Sequence, residues 1–458
     1  MGQTNGNRHS SPPIKFVEKL GYGIGDLGYA LIWQMISLYL LFFYTDVFGI
    51  TAAEAGIIFL IARIWDAVND PLLGFLADRT QSRWGKFRPY LLFGAVPVGV
   101  CLVLAFSTPD LGHIGQFIWA LVTYILLGMV YTAVNLPYGS LLAVCTRNQS
   151  DRSSMAAYRM IFGFLGVLVV GTLTKPLVGK FTNEQTGFQV VAAIYAVLAA
   201  IIIWTVFANV KEKVTPVKTQ RYNLKEMLKI LTINKPLIVI CSAVLFVTTA
   251  ITIRSAVGMY FFKYNMARED LFPLFMGIIV ISMILGCVAA NFLRKKLEKK
   301  NLYILGMIIF AIGDIGIFFS PYSAINLIIF FTVLAGLGTG IFYVLLLAMV
   351  ADTVEYAEWK TGKRAEGMIY SAYTFTAKLS AALGGAAAGL LLSLVGYVPN
   401  STQTATADFG IRALFTLGPF ISGVIAVAIM NFYNLDSALF KRIVEDLGKN
   451  RSGEINGL

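Results

Sequence analysis

Apolar runs of about twenty residues, separated by short polar or Pro/Gly-rich breaks, recur along nearly the whole chain. A helix of that length crosses a hydrocarbon layer with all its backbone hydrogen bonds satisfied internally. Reading the runs between breaks predicts twelve spans, at 23–48, 54–77, 89–107, 115–142, 156–178, 188–209, 236–262, 272–293, 301–320, 324–351, 367–395 and 409–434. The longest polar break, 209–236, divides them six and six. Within it "NLKEMLKIL" predicts a short amphipathic helix lying at the membrane surface. The organisation expected is a six-helix bundle over 1–208, a central loop over 209–235, a second six-helix bundle over 236–435 and a tail over 436–458.

A weak internal echo supports two similar halves. "GFLADRTQSRWGK" after the second span has a poorer counterpart in "GCVAANFLRKKLEKK" after the eighth, and "AVCTRNQSDRSS" after the fourth is matched by "ADTVEYAEWKTGKRAEG" after the tenth. Six plus six spans around a basic central loop is the plan of a transporter built from two halves.

Composition points the same way. Hydrophobic residues make up 57% of the 458 and charged residues only 14%, against about 25% charged in soluble domains. Mean hydropathy is +0.71. The net charge of +12 would suit a nucleic-acid partner, but the basic residues sit in alternate connections. These are Arg79, Arg83, Lys86 and Arg88; Arg147 and Arg152; the central loop; "RKKLEKK"; and Lys360, Lys363 and Arg364. Arg8, Lys15 and Lys19 precede the first span, and Lys441, Arg442, Lys449 and Arg451 follow the last. The remaining connections carry only Lys175, Lys180, Lys263 and Arg268. The positive-inside rule then predicts a multi-pass protein of the plasma (inner) membrane with both termini cytoplasmic. The bilayer, not nucleic acid, is the partner expected.

Few features suggest an enzyme. The four cysteines have no metal-type spacing, His9 and His113 lie near segment ends, and neither a nucleophile elbow nor a phosphate loop is visible. The polar start, "MGQTNGNRHSSPPIKF", is neither a cleavable signal peptide nor a myristoylation site.

Ionisable residues inside the spans carry the chemistry, because each costs several kcal/mol unless paired. Those that stand out in or beside the spans are Asp26, Arg63, Asp66, Asp70, Arg159, Arg254, Asp314, Asp352 and Lys378. Asp66 and Asp70 of "DAVND" are four apart, so on a helix both side chains share one face with Cβ atoms about 6 Å apart, and Asn69 offers an amide oxygen there. Two acids that close stay ionised in a dry site only around a cation, and the set suits Na+ or a proton. Alternatively Arg63, one turn earlier, neutralises Asp66 and leaves Asp70 to another helix. Lys378 can also pair with the acids when the ion is absent. Asp78, Arg79 and Arg83 at the basic end of span two are read as a gating latch. Arg254, deep in span seven, either grips a carboxylate or sulfonate of the substrate or forms a structural pair with Asp26 or Asp352.

"ARIWDAVNDP", "DRTQSRWGKFRP", "LGMVYTAVNLPYGSL", "VADTVEYAEWKTGKRAEG" and "YSAYTFTAKLSAALGG" resemble, in the same order, motifs of the glycoside–pentoside–hexuronide:cation symporters of the major facilitator superfamily. The resemblance implies an all-α membrane protein with twelve transmembrane helices in two pseudo-symmetric bundles. It implies cation-binding by Asp66, Asn69, Asp70 and Thr132. It places Tyr131, Arg159 and Tyr343 on the central cavity and Lys378 beside the cation. Tyr343 stands where the family has a tryptophan. Two acids that grip galactoside hydroxyls in some members are replaced here by Ala30 and Asn135, while Asp26 lies one turn earlier. Asn135 and Gln34 remain able to bind hydroxyls, whereas Trp33 is read as facing either the cavity or lipid.

The function expected is Na+- or H+-coupled symport of a sugar or glycoside by alternating access, with a uronide or sulfonated sugar as the anionic case. No cofactor beyond the coupling cation and no partner beyond the small substrate and the lipid is expected of a monomer. A lysolipid or other amphiphile symporter is the alternative.

Overall fold

The computed structural model describes residues 14–146, 148–213 and 224–455. Arg8, His9, Arg147 and Asn223, and the side chains of Asp78, Lys449 and Arg451, lie outside the described residues. Every regular element among the described residues is helical. Helix α1 (Phe16–Met35) continues through π-helical turns at Ile36–Leu40 and Phe43–Phe48. It is followed by α2 (Ala52–Arg79), α3 (Arg88–Ala105), α4 (His113–Cys145), α5 (Gln149–Val178), α6 (Glu184–Asn209) and the short α7 (Leu224–Ile233). Then come α8 (Lys235–Tyr260), α9 (Phe272–Leu293), α10 (Lys299–Phe319), α11 (Ile325–Thr361), α12 (Glu366–Leu394), α13 (Ala405–Phe415), α14 (Leu417–Met430) and α15 (Ser437–Ile455).

Ten of these segments, with α13 and α14 acting together as one, are long and apolar enough to span a membrane. The other two expected spans coincide with the α1 segment and with α2, which carries the acids. Polar breaks are also where the helices are capped. Asn148 accepts from Ser150 N at 2.9 Å to start α5, and Asn234 accepts from Leu237 N at 3.3 Å to start α8. Such side chains satisfy amides that have no partner inside the helix.

Two compact units emerge. One comprises residues up to Ile36 and 61–219; the other comprises 37–60 and 220–458. The helices of each pack in the same order. In the first unit α1 packs on α5 and α6, and α3 packs on α4 and α6. In the second α8 packs on α12 and α14, and α10 packs on α11 and α14. The weak sequence echo between the halves thus corresponds to a repeated packing scheme. The end of the first span and the start of the second, 37–60, pack with the second unit, a division that falls within α2 and that hydropathy does not mark.

Candidate cation and substrate site

Helix α2 brings Arg63, Asp66, Asn69 and Asp70 onto adjacent turns. Arg63 Nη1 donates to Asp66 Oδ2 at 2.9 Å, and its Nη2 donates to the Tyr124 hydroxyl of α4 at 2.9 Å. The two charged side chains are 22% and 19% exposed, so the pair is shielded but reachable. Helix α4 approaches closely because residue 128 is glycine: a Cβ there would stand 3.1 Å from Asp66 Oδ1. Asn69 is buried, and its Nδ2 has no hydrogen-bond partner among the described residues. A buried donor with unused capacity costs about 1–3 kcal/mol, which an accepting group, not a cation, can recover. Among the described residues no three His, Cys, Asp or Glu side chains cluster. Two carboxylates with an amide suit a monovalent cation better than a transition metal.

Positions 124, 128, 131, 132 and 135 form one stripe of α4 at helical spacing. The expected Tyr131, Thr132 and Asn135 therefore share a face with Gly128, which fronts Asp66. Trp33, Arg63, Asp66, Tyr124, Gly128 and Tyr131 line one cavity. The Trp33 and Tyr131 rings are 5.5 Å apart and 31° from parallel. Trp33 thus faces this cavity, not lipid. Tyr124 was not foreseen, since a lone tyrosine in an apolar span gives no signal until α2 packs beside it.

The aromatic wall continues along the bundle. Tyr131 meets Tyr29 edge-on at 6.0 Å, Tyr29 leans on Tyr138 at 4.7 Å, and Tyr138 stacks on Tyr22 at 4.9 Å. The Arg159 guanidinium lies 5.0 Å above the Tyr138 ring and donates from Nε to Asp26 Oδ1 at 2.8 Å. Asp26 and Arg159, predicted separately, are one ion pair between α1 and α5. Its side chains are 24% and 34% exposed, which leaves hydrogen-bonding capacity open. Ala30 is pressed against α5 at Gly166, so close helix contact occupies this position.

The second unit holds the other expected residues. Arg254 on α8 donates from Nη1 to Asp314 Oδ1 on α10, with the two side chains 8% and 0% exposed. Its guanidinium also covers the Phe415 ring at 4.9 Å. Arg254 is therefore in a buried ion pair. Its partner is neither Asp26, which holds Arg159, nor Asp352, which receives a 2.5 Å bond from Lys299. Tyr343 is half-buried against Phe342 on α11, their rings 5.2 Å apart. Lys378 stands on the exposed part of α12.

At the basic end of α2, Arg79 lies 4.0 Å over the Phe75 ring and Arg83 lies 4.1 Å over Trp84. The carboxylate that organises this loop is Glu212, unforeseen because it follows α6 in the central break. It accepts from the amides of Lys86 at 2.9 Å, Phe87 at 2.7 Å and Arg88 at 3.2 Å, the start of α3. Gly85, at φ +110°, turns the chain around it.

A family profile described as "MFS/sugar transport protein" matches residues 21–437. The isoprimeverose transporter of Lactiplantibacillus pentosus is 37% identical over 449 residues, covering 96% of this chain and 93% of that one. A putative sulfoquinovose importer of Escherichia coli is 34% identical over 445 residues, covering 96% and 95%. The crystal structure of a D-xylose-proton symporter superposes with a TM-score of 0.64 over 90% of this chain and 97% of the other at 14% identity, a likeness of fold. The chain belongs to the MFS/sugar transport protein family: it is an all-α, multi-pass membrane transporter and not an enzyme, as the resemblance to the glycoside–pentoside–hexuronide:cation symporters implied.

Proposed function

We propose that this transporter is a monomeric symporter that couples a sodium ion or a proton to a sugar or glycoside by alternating access, with both termini cytoplasmic. The observation that carries the reading is the juxtaposition of Asp66, held by Arg63, with an aromatic cavity walled by Trp33 and Tyr131. Asp66 and Asp70, with Asn69 and Thr132, are the cation ligands. Tyr131 and Trp33 stack on a sugar ring, and Asn135 and the Asp26–Arg159 pair hydrogen-bond its hydroxyls. Tyr343 and Lys378, in the second unit, are further substrate-binding residues. The loop bearing Asp78, Arg79 and Arg83 is the cytoplasmic gate. Partial loading leaves charge unbalanced in a low-dielectric site, so the empty and fully loaded carriers interconvert most readily.

The relatives named for isoprimeverose and sulfoquinovose support a sugar substrate, one neutral and one anionic. Arg254 and Arg159 are both ion-paired, but the Arg254–Asp314 pair is buried whereas Arg159 is 34% exposed in its pair with Asp26, so Arg159 is the more accessible guanidinium for a sulfonate or carboxylate. Uptake into vesicles of neutral pentosides, uronides, sulfonated sugars and a lysolipid, each under a sodium or a proton gradient, tests the reading. Sugar accumulation that collapses with the gradient is expected. Accumulation of the lysolipid alone, or facilitated sugar entry indifferent to both gradients, would overturn it.

A further inference from the structure

Arg63 is held by groups on three helices. Asp66 Oδ2 and the Tyr124 hydroxyl each accept from it at 2.9 Å, and its guanidinium lies 5.1 Å from the Trp33 ring centroid. The guanidinium keeps its charge at all accessible pH values. A cation arriving at Asp66 therefore competes with a permanent positive charge for the same carboxylate and repels it. Two of Arg63's contacts, the Tyr124 hydroxyl and the Trp33 face, do not involve Asp66. They are the places to which the guanidinium can shift. Shielded from water, an arginine over an indole is favourable.

Trp33 is not free to yield independently. It leans on Tyr131 at 5.5 Å, and Tyr131 in turn abuts Tyr29 at 6.0 Å. A guanidinium pressed further onto Trp33 tilts the rings against which a sugar would stack. Acid, arginine, indole and tyrosine form an unbroken series of contacts within one unit.

We propose that Trp33 is a positioning residue that relays cation occupancy at Asp66, through Arg63, to the aromatic wall of the substrate site. The inference rests on the symport reading above and assigns the coupling between its two sites to one contact. Because coupling is reciprocal, a sugar seated on Trp33 and Tyr131 also holds Arg63 where a cation can take Asp66. Removing the indole face should weaken sugar binding, leave the cation site at Asp66 in place, and uncouple the two sites.

The test uses the purified full-length protein and the ions themselves. Of the six tryptophans, only Trp33 lies on the cavity that contains Asp66. Intrinsic tryptophan emission is followed during titration with NaCl against choline chloride, and across pH steps in the absence of sodium. The wild type should show a saturable change with one of the two cations. Trp33→Phe, which removes the reporting indole itself, should melt at the wild-type temperature and is read by transport: its sugar uptake should lose most of its cation stimulation. Trp33→Tyr provides a second ring-retaining variant, and Arg63→Lys should shrink the signal while keeping the charge. Sodium- and proton-driven sugar uptake is measured in parallel on each protein. Full cation stimulation of uptake in Trp33→Phe, or no emission change in a wild type that still performs coupled uptake, overturns the relay and leaves the symport reading standing. Uptake indifferent to both cations in the wild type sinks the symport reading itself.

Discussion

Asp46 and Tyr397 lie 351 positions apart in the sequence and are joined by a 2.5 Å hydrogen bond. The Asp46 side chain is 0% exposed, and a buried carboxylate survives only if its lone pairs are satisfied. Lys263 Nζ donates to it at 2.8 Å, Thr45 donates at 2.7 Å and Tyr264 donates through its hydroxyl. Asn400 Nδ2 donates to the Asp46 carbonyl at 2.8 Å. This network fastens the segment 37–60 to the second unit, beside the π-helical turns at Ile36–Leu40 and Phe43–Phe48. Such turns, with their weaker ladders, are frequent at functional sites.

Removing the positive partner of that carboxylate should be the most damaging change in the network. Lys263→Met leaves Asp46 buried and uncompensated, a defect worth about 3–5 kcal/mol. The double variant with Asp46→Asn should recover much of the loss. Thermal unfolding of the purified proteins reads both, and equal melting temperatures for the single and double variants would refute the argument.

Tyr397 gives the network a pH signature. Burial first, then Tyr260 and Asp46, push its phenol well above the ordinary tyrosine value. A raised acid favours the neutral donor in the folded state, so its contribution is complete below the unfolded value of about 10. It is lost as pH rises through the folded value. Tyr397→Phe should therefore be destabilised by about 1 kcal/mol at neutral pH and show a shallower decline in melting temperature above about pH 10.

The Arg254–Asp314 pair should behave as structure. Arg254→Leu strands a carboxylate on α10 and should cost about 3–5 kcal/mol, whereas Arg254→Leu with Asp314→Leu should be close to neutral. The double variant should restore uptake of neutral and anionic sugars alike. If only anionic sugars stayed lost in that variant, Arg254 would be a substrate ligand after all.

For the acids of α2, Asp66→Asn and Asp70→Asn should each weaken cation dependence by about 1.4 kcal/mol or more, tenfold in apparent affinity. Sugar exchange that needs no gradient should persist in part. Gradient-driven accumulation at wild-type levels in both variants would exclude these residues as the cation site.

Glu212 should act as the start signal of α3. Glu212→Ala frees three amides and should cost about 1–2 kcal/mol, with faster proteolysis of the 80–87 loop. Glu212→Gln, which keeps an acceptor oxygen, should lose less. Equal proteolysis rates in all three proteins would remove the capping role.

How far each feature was legible depended on whether it was local. Asp66, Asn69 and Asp70 were readable as one face because helical spacing alone puts them there. Tyr131, Thr132 and Asn135 were implied by the family resemblance, and helical spacing then puts them on one stripe of α4. Asp314, already conspicuous as an acid in an apolar span, could not be matched to Arg254, because its partner is set by which helices touch. Asp46 sat near a span end, and Glu212 in a polar break, where carboxylates draw no notice. Trp33 and Tyr124 gained meaning only from the ring and guanidinium beside them.

By itself the sequence determined that the chain is helical, membrane-spanning and built in two halves, since apolar run length and the charge of the connections are properties of neighbours along the chain. Only the tertiary structure decided which charge answers which: Arg63 with Asp66, Arg159 with Asp26, Arg254 with Asp314, Lys263 with Asp46. A charge in a low-dielectric interior must be paired, but spacing states only that need. The partner is chosen by helix packing, which brings together residues up to hundreds of positions apart.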